Sequence, residues 1–317
     1  MYYPYFFSNQ FELEVIFRLK REIDQGKILP IIEPYNASKS VVREIRKVIS
    51  SETKIILIIN PPHIQKDEND RTRSQNMIES LLNQNANIIL GINIGSKSLE
   101  IYKNIIETYP TREIALFHNN NEINPIEIAS LLRYENVKYN FFSRNTITPE
   151  YHQHFKETKK IILHNAFIRQ SLNKKYKEHL DEFFYSLHKE YKHLGFDGFG
   201  DYLTIGDQPS DKKQPKRPST IVIHYTYPTT STYNQINIRR FIATIDKEKE
   251  KTQVGIYKAM IEAKRFILEH TSLHCSLCSE CKDLIQKVKR KEPYNLLGEI
   301  KKFSMLHHVY MIMKLMD

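Results

Sequence analysis

Residues 55–93, IILIINPPHIQKDENDRTRSQNMIESLLNQNANIILGIN, decide the fold. A short apolar run, Ile55–Ile59, stops at Asn60. A polar connection with helical periodicity follows, and a second run, Ile88–Ile92, stops at Asn93. Brief β-branched runs of this kind read as buried strands of a parallel sheet, and the longer connection between them reads as a crossover helix. The unit recurs on both sides. Ile28–Ile32 ends at Glu33, Ile114–Phe117 at His118, Val137–Phe142 at Ser143 and Arg144, and Ile161–Leu163 at His164. Phe199–Ile205 holds Asp201 within it, and Ile221–Ile223 ends at His224. Eight strands alternating with helices predict an α/β fold, a (β/α)8 TIM-like barrel. Such barrels keep their site at the C-terminal ends of the strands, so the polar residues that stop the runs are the candidates for function.

The pattern is irregular in its seventh unit. GFDGFGDYLTIG, residues 195–206, is glycine-rich, and its functional reading is a ligand loop. Its structural reading is a bulge or turn that lets a strand enter the barrel. The prolines that follow oppose a phosphate-cradling helix and favour the structural reading. DQPSDKKQPKRPS, residues 207–219, has three prolines and no apolar residue, so no seventh helix is expected there. INIRRFIATID, residues 236–246, fits a ninth strand or an edge hairpin with the eighth, with Arg239 and Arg240 mid-run. Helices are expected over 11–25, 38–51, 73–84, 97–108, 125–134, 148–158 and 172–194. A C-terminal helical extension is expected over 250–270, 280–290 and 296–315. The division this predicts is a barrel over 1–246 and a basic, mainly helical extension over 247–317.

The 317 residues suit one barrel with an extension, and 40% hydrophobic content can fill a sizeable core. No run approaches the ~20 apolar residues of a membrane span, and the N-terminus lacks a signal peptide's basic region. A cytoplasmic location is the expectation. Three cysteines do not suggest a secreted disulfide scaffold. The net charge of +10 is uneven: residues 209–317 hold 20 Lys and Arg against 11 Asp and Glu, while the rest is nearly balanced. A basic third can contact DNA or RNA; the bland alternative is a compositional bias toward lysine.

Three groups of residues can carry chemistry. At the strand ends, Glu33, His164, Asp201 and His224 are candidate catalytic residues, and Asn60, Asn93, His118, Arg144 and Arg240 are candidate ligand-binding residues. Carboxylates with imidazoles can bind a divalent metal or move protons; alternatively, such residues satisfy loop backbones. The segment HTSLHCSLCSEC has zinc-knuckle spacing in Cys275, Cys278 and Cys281, with His270 as the candidate fourth ligand and zinc or another divalent metal as the cofactor. On a regular helix Cys281 points away from the other two, so a site using all three needs a broken helix. Near the C-terminus, FSMLHHVYMIM places His307 and His308 on an apolar helix. The plain reading is a docked helix with one buried, hydrogen-bonded histidine, and a metal ligand from either remains open.

Four stretches together carry a resemblance: MYYPYFFSNQFELEVIFRL with ILPIIEP, then GFGDYLTIG, then IVIHYTYP with INIRRF, and finally FSMLHHVYM. They resemble the Beta protein family of bacteria and phages, whose relatives are encoded beside small nuclease-like proteins. The resemblance implies a phage-defence or mobile-element module in which the barrel is a ligand-binding or sensing subunit acting with a nuclease-like protein partner. It assigns no catalytic residue. Two other readings come from the residues themselves. One is a metal-dependent barrel hydrolase centred on Glu33, Asp201 and His224. The other is a nucleic-acid-binding protein using residues 209–317.

Overall fold

The computed structural model describes residues 1–34, 39–49, 53–62, 68–95, 98–120, 123–156, 158–209, 218–229, 235–246, 248–270 and 278–316. The chain divides into two compact units, one of residues 1–165 and 190–202, the other of residues 166–189 and 203–317.

The first unit is a closed barrel of eight parallel strands. They are β1 (Tyr2–Phe7), β2 (Ile31–Glu33), β3 (Ile55–Ile58), β4 (Ile88–Ile94), β5 (Ile114–His118), β6 (Val137–Ser143), β7 (Lys159–His164) and β9 (Gly198–Asp201). Between them run α1 (Gln10–Arg18), α2 (Lys20–Asp24), α3 (Lys39–Val48), α4 (Glu68–Leu82), α5 (Leu99–Thr108) and α6 (Pro125–Ala129). The expected barrel is therefore present, with two corrections to its strands. MYYPYFF forms its first strand, closing the ring by pairing with β2 on one side and β9 on the other. The run Ile221–Ile223 is not a barrel strand.

The barrel interior is aromatic. Tyr3 meets Phe141 edge-on at 5.2 Å, Tyr5 meets Phe117 at 6.3 Å, and Phe117 stacks on Phe141 at 4.5 Å. β1 pairs with neither β5 nor β6, so these contacts cross the interior and fix which residues point inward. The glycine-rich segment makes room for them. A Cβ on Gly200 would lie 2.3 Å from the Tyr3 carbonyl oxygen, and one on Gly198 would lie 2.7 Å from the Tyr3 ring. Gly195 and Gly206 take left-handed φ of +81° and +77°, a region that favours glycine. The structural reading of GFDGFGDYLTIG is what these contacts express.

The second unit carries a three-stranded antiparallel sheet, β8 (Asp181–Tyr185), β10 (Thr220–Pro228) and β11 (Ile236–Thr244), in the order β10-β11-β8. The hairpin expected from INIRRF is β10–β11, paired over nine residues. A helix over 172–194 is not formed. That span holds a 3-10 turn (Asn173–Glu178), β8 and the short α7 (Leu187–Glu190), because DEFFY has strand-forming aromatics that pair with β11. The expected helix over 148–158 shrinks to a 3-10 turn at Tyr151–His154. α8 (Thr252–Glu269), α9 (Ser279–Lys289) and α10 (Leu297–Met316) fall where the periodicity places them. Ile221, Ile223, Tyr225 and Phe241 of the sheet join Met260 and Phe266 of α8, Cys281 and Leu284 of α9 and Phe303 of α10 in one buried cluster. Among the described residues no helix is long and apolar enough to cross a membrane.

Candidate functional site

Residues paired directly across neighbouring strands share a face, and the face alternates along each strand. From the inward Tyr5 and Tyr3, the register sorts the strand-end residues. Phe7 pairs with Glu33 and Phe117 pairs with Asn93, so Glu33 and Asn93 point inward. Tyr3 pairs with Gly200, which turns Asp201 outward, and His164 pairs with Asp201. His118 pairs with Phe142 on the outer face. The expected convergence of these residues on one rim is thus corrected: only part of the set faces the mouth.

Inside the mouth, Glu33 is buried and the Tyr5 hydroxyl donates to its Oε2 at 2.6 Å. The asparagines largely tie the barrel's own chain. Asn60 Nδ2 donates to the Asn93 carbonyl and Asn60 Oδ1 accepts from the Asn93 amide, both at 2.8 Å, so the side chain continues the β3–β4 ladder beyond β3. Asn119 donates to Asn93 Oδ1 at 3.1 Å. The Asn60 amide therefore closes a ladder end that would otherwise leave backbone groups unsatisfied, whereas the Asn93 amide faces the mouth with its Nδ2 buried and without a hydrogen-bond partner among the described residues.

On the outer face, Asp201 is buried and accepts from the Tyr2 hydroxyl at 2.8 Å. His118 is fully buried between Phe142 and Phe155, with Nε2 2.9 Å from Asn140 Oδ1. Burial holds its pKa down at about 4, against a smaller upward pull from the Asn140 hydrogen bond. His164 is lowered to about 4, chiefly by burial and then by Arg144. Arg144 itself reaches Glu190 at 3.6 Å. Both histidines are neutral at neutral pH; His118 packs among rings, whereas His164 is half-buried with Nδ1 3.3 Å from Asn145 Oδ1.

In the second unit, His224 and Arg240 are cross-strand partners on β10 and β11. Arg240 is buried; it donates to the His179 carbonyl at 2.5 Å and to Glu182 at 2.7 Å, and it lies over the Tyr176 ring. His224 sits edge-on to Phe167 and Tyr176, and burial followed by the charge of Arg240 lowers its pKa to about 3.

The group best suited to bind something lies between α9, α10 and β10. Cys278 Sγ is 3.2 Å from Cys281 Sγ, and the two sulfurs are 3.3 and 3.4 Å from His307 Nδ1. Cys278 is the N-cap of α9, with extended backbone, and its Sγ accepts from the Cys281 amide. The helix thus begins after Cys278, and the two sulfurs meet from its cap and its first turn. His307 Nε2 lies 2.7 Å from the Thr226 carbonyl, which can only accept, so Nε2 carries the proton and the Nδ1 lone pair faces the sulfurs. Tyr225 stacks on the imidazole at 4.1 Å. The adjacent His308 makes a different connection, to Thr226 Oγ1 at 2.9 Å and to the Tyr185 hydroxyl at 3.3 Å. Within the cysteine pair the hydrogen bond from Cys281 favours the Cys278 thiolate and pulls that pKa down, while the same bond and burial push Cys281 up.

These three are the group among the described residues that could hold a metal. The expected ligand His270 is not part of it; its Nδ1 turns back to the Phe266 carbonyl at 2.8 Å. Cys275 lies outside the described residues. Sequence spacing marks the two cysteines but not the choice of histidine, because His307 is brought in by the docking of α10.

No family model matches the chain, and no curated protein is similar to it. Solved structures similar to the chain include the following two. One is CdNal from Clostridium difficile in complex with mannosamine, with TM-score 0.37 and 9% identity over 64% of this chain and 69% of that one. The other is N-acetylneuraminate lyase from Mycoplasma synoviae, with TM-score 0.34 and 8% identity over 88% of this chain and 71% of that one. Neither likeness supports the expected sensing subunit of a defence module, and that expectation is corrected and set aside. The hydrolase reading is set aside as well, since Glu33 and Asp201 face opposite sides of the barrel wall and His224 belongs to a different sheet.

Proposed function

We propose that this protein is a zinc-binding protein whose second unit is held by one structural zinc ion on Cys278, Cys281 and His307. The observation that carries the reading is the meeting of two sulfurs and one imidazole nitrogen, from segments 26 or more residues apart, within 3.4 Å of one another. Thiolates and imidazoles are the donors zinc takes in structural sites, which are closed by four of them; Cys278, Cys281 and His307 supply three and leave the fourth position of the tetrahedron to a further donor. With Zn–S near 2.3 Å and Zn–N near 2.0 Å, tetrahedral donors stand roughly 3.5–3.8 Å apart. The observed separations need to open by roughly 0.2 Å between sulfur and nitrogen and roughly 0.6 Å between the sulfurs. The Thr226 carbonyl supplies the outer hydrogen bond that metal-bound histidines use to fix their tautomer. Cys278 at the start of α9 sits where the helix dipole favours a thiolate. Cys281 and His307 are fully buried, which suits a staple joining α9, α10 and β10.

Cobalt substitution tests this. The cobalt-loaded protein is expected to show a thiolate charge-transfer band and the strong visible bands of a tetrahedral ion, both lost in Cys281→Ser and in His307→Ala. A purely octahedral, thiolate-free spectrum would sink the reading.

A further inference from the structure

We propose that this zinc is released by oxidation, with Cys278 and Cys281 forming a disulfide when a peroxide reaches the site. The inference rests on the zinc reading above and adds how the site is regulated.

Its basis is geometric. The two sulfurs are 3.2 Å apart and about 3.8 Å apart around a tetrahedral zinc, so forming an S–S bond of ~2.05 Å requires an approach of roughly 1–2 Å. The thiols also differ in access: Cys278 is half-buried at the helix cap, while Cys281 is fully buried beneath it. That order matches an attacking sulfur with a resolving sulfur behind it. Tyr225 reinforces the arrangement, with its hydroxyl 3.8 Å from Cys281 Sγ. Once both sulfurs are consumed, two of the three described donors are lost and the hold on zinc falls with them.

The reaction balances with hydrogen peroxide as oxidant. The Cys278 sulfur attacks one peroxide oxygen; an S–O bond forms, the O–O bond breaks and hydroxide leaves, giving a sulfenic acid. The Cys281 sulfur then attacks Cys278 Sγ; the S–S bond forms, the S–O bond breaks and a second hydroxide leaves. Two electrons pass from the sulfurs to the peroxide, and the zinc ion departs to solvent.

The experiment uses the full chain loaded with zinc, titrated with hydrogen peroxide. Released zinc is read by a colorimetric chelator, and peptide mass mapping follows the thiols. One zinc released per peroxide consumed is expected, with the peptide containing Cys278 and Cys281 lighter by two hydrogens. A dithiol reductant with added zinc is expected to restore the loaded state. Zinc retained while peroxide is consumed at methionines, or zinc lost with Cys278 carried on to sulfinic acid and no Cys278–Cys281 bond, would overturn the proposal. A chain that takes up no zinc at the outset fails the zinc reading instead, and that step is measured first.

Discussion

The two ring nitrogens of His307 are used differently. Nε2 donates to the Thr226 carbonyl, and Nδ1 faces the sulfurs. Its neighbour His308 shares Thr226 but meets its hydroxyl instead. Loss of a ligand and loss of a packing bond are thus separable at adjacent positions. His307→Ala is expected to lower zinc affinity at least ~100-fold, the upper end of what loss of a partner around a metal costs, whereas His308→Gln leaves it within a few-fold; competition with a zinc chelator measures both. Histidines of the barrel make a second prediction. His118 has a folded pKa of about 4, below its ordinary 6.5. Between those values the unfolded chain binds a proton that the folded chain does not, so stability falls as pH drops from about 6.5 to 4. The cost from His118 alone is on the order of 3 kcal/mol. Urea unfolding at about pH 7 and about pH 4.5 is expected to show the loss, and a His118→Asn variant, less stable at neutral pH, is expected to show a shallower slope. A pH-independent midpoint would contradict the burial argument. Which of the stop residues face the mouth was hidden in the sequence for a related reason. The run-ends located Glu33, Asn93, His118 and Asp201 along their strands, but in a wall buried on both faces, inward and outward positions look alike.

Strand β1 shows what element-level reading misses. Its residues are buried on both faces, so no alternation marks it, and Pro4 weakens its strand signal. Ile221–Ile223 has an equally good strand signal and takes its place in the predicted barrel, yet it pairs antiparallel with β11. Only long-range pairing tells the two apart. Closure between β1 and β9 depends on the absence of a side chain at Gly200, whose added Cβ would meet backbone. Gly200→Ala is therefore expected to destabilise the barrel by about 1–3 kcal/mol or more, with larger residues costing more still. Thermal unfolding of Gly200→Ala beside Gly26→Ala provides the comparison, since Gly26 meets nothing but has φ of +68°. Equal losses at both sites would remove the steric account. The C-terminal helices were legible to within a few residues because their periodicity is long. The span 172–194 was not, since its charges mimic a helical surface while DEFFY pairs as a strand.

At the scale of the molecule, the barrel and the sheet-and-helix unit are each compact, and the second has a buried cluster of its own; zinc is assigned to that second unit alone. Removing metal with a chelator is expected to raise amide exchange in β10, α9 and the middle of α10 by roughly tenfold or more, as local opening becomes easier. Exchange in β3–β6 is expected to stay unchanged. The measurement that tests the central claim most directly is native mass spectrometry of the full chain after zinc loading and desalting, beside Cys278→Ser/Cys281→Ser. The mass of one zinc ion is expected on the parent chain and none on the variant. A metal-free parent chain, or a variant that retains the zinc, would contradict the assignment.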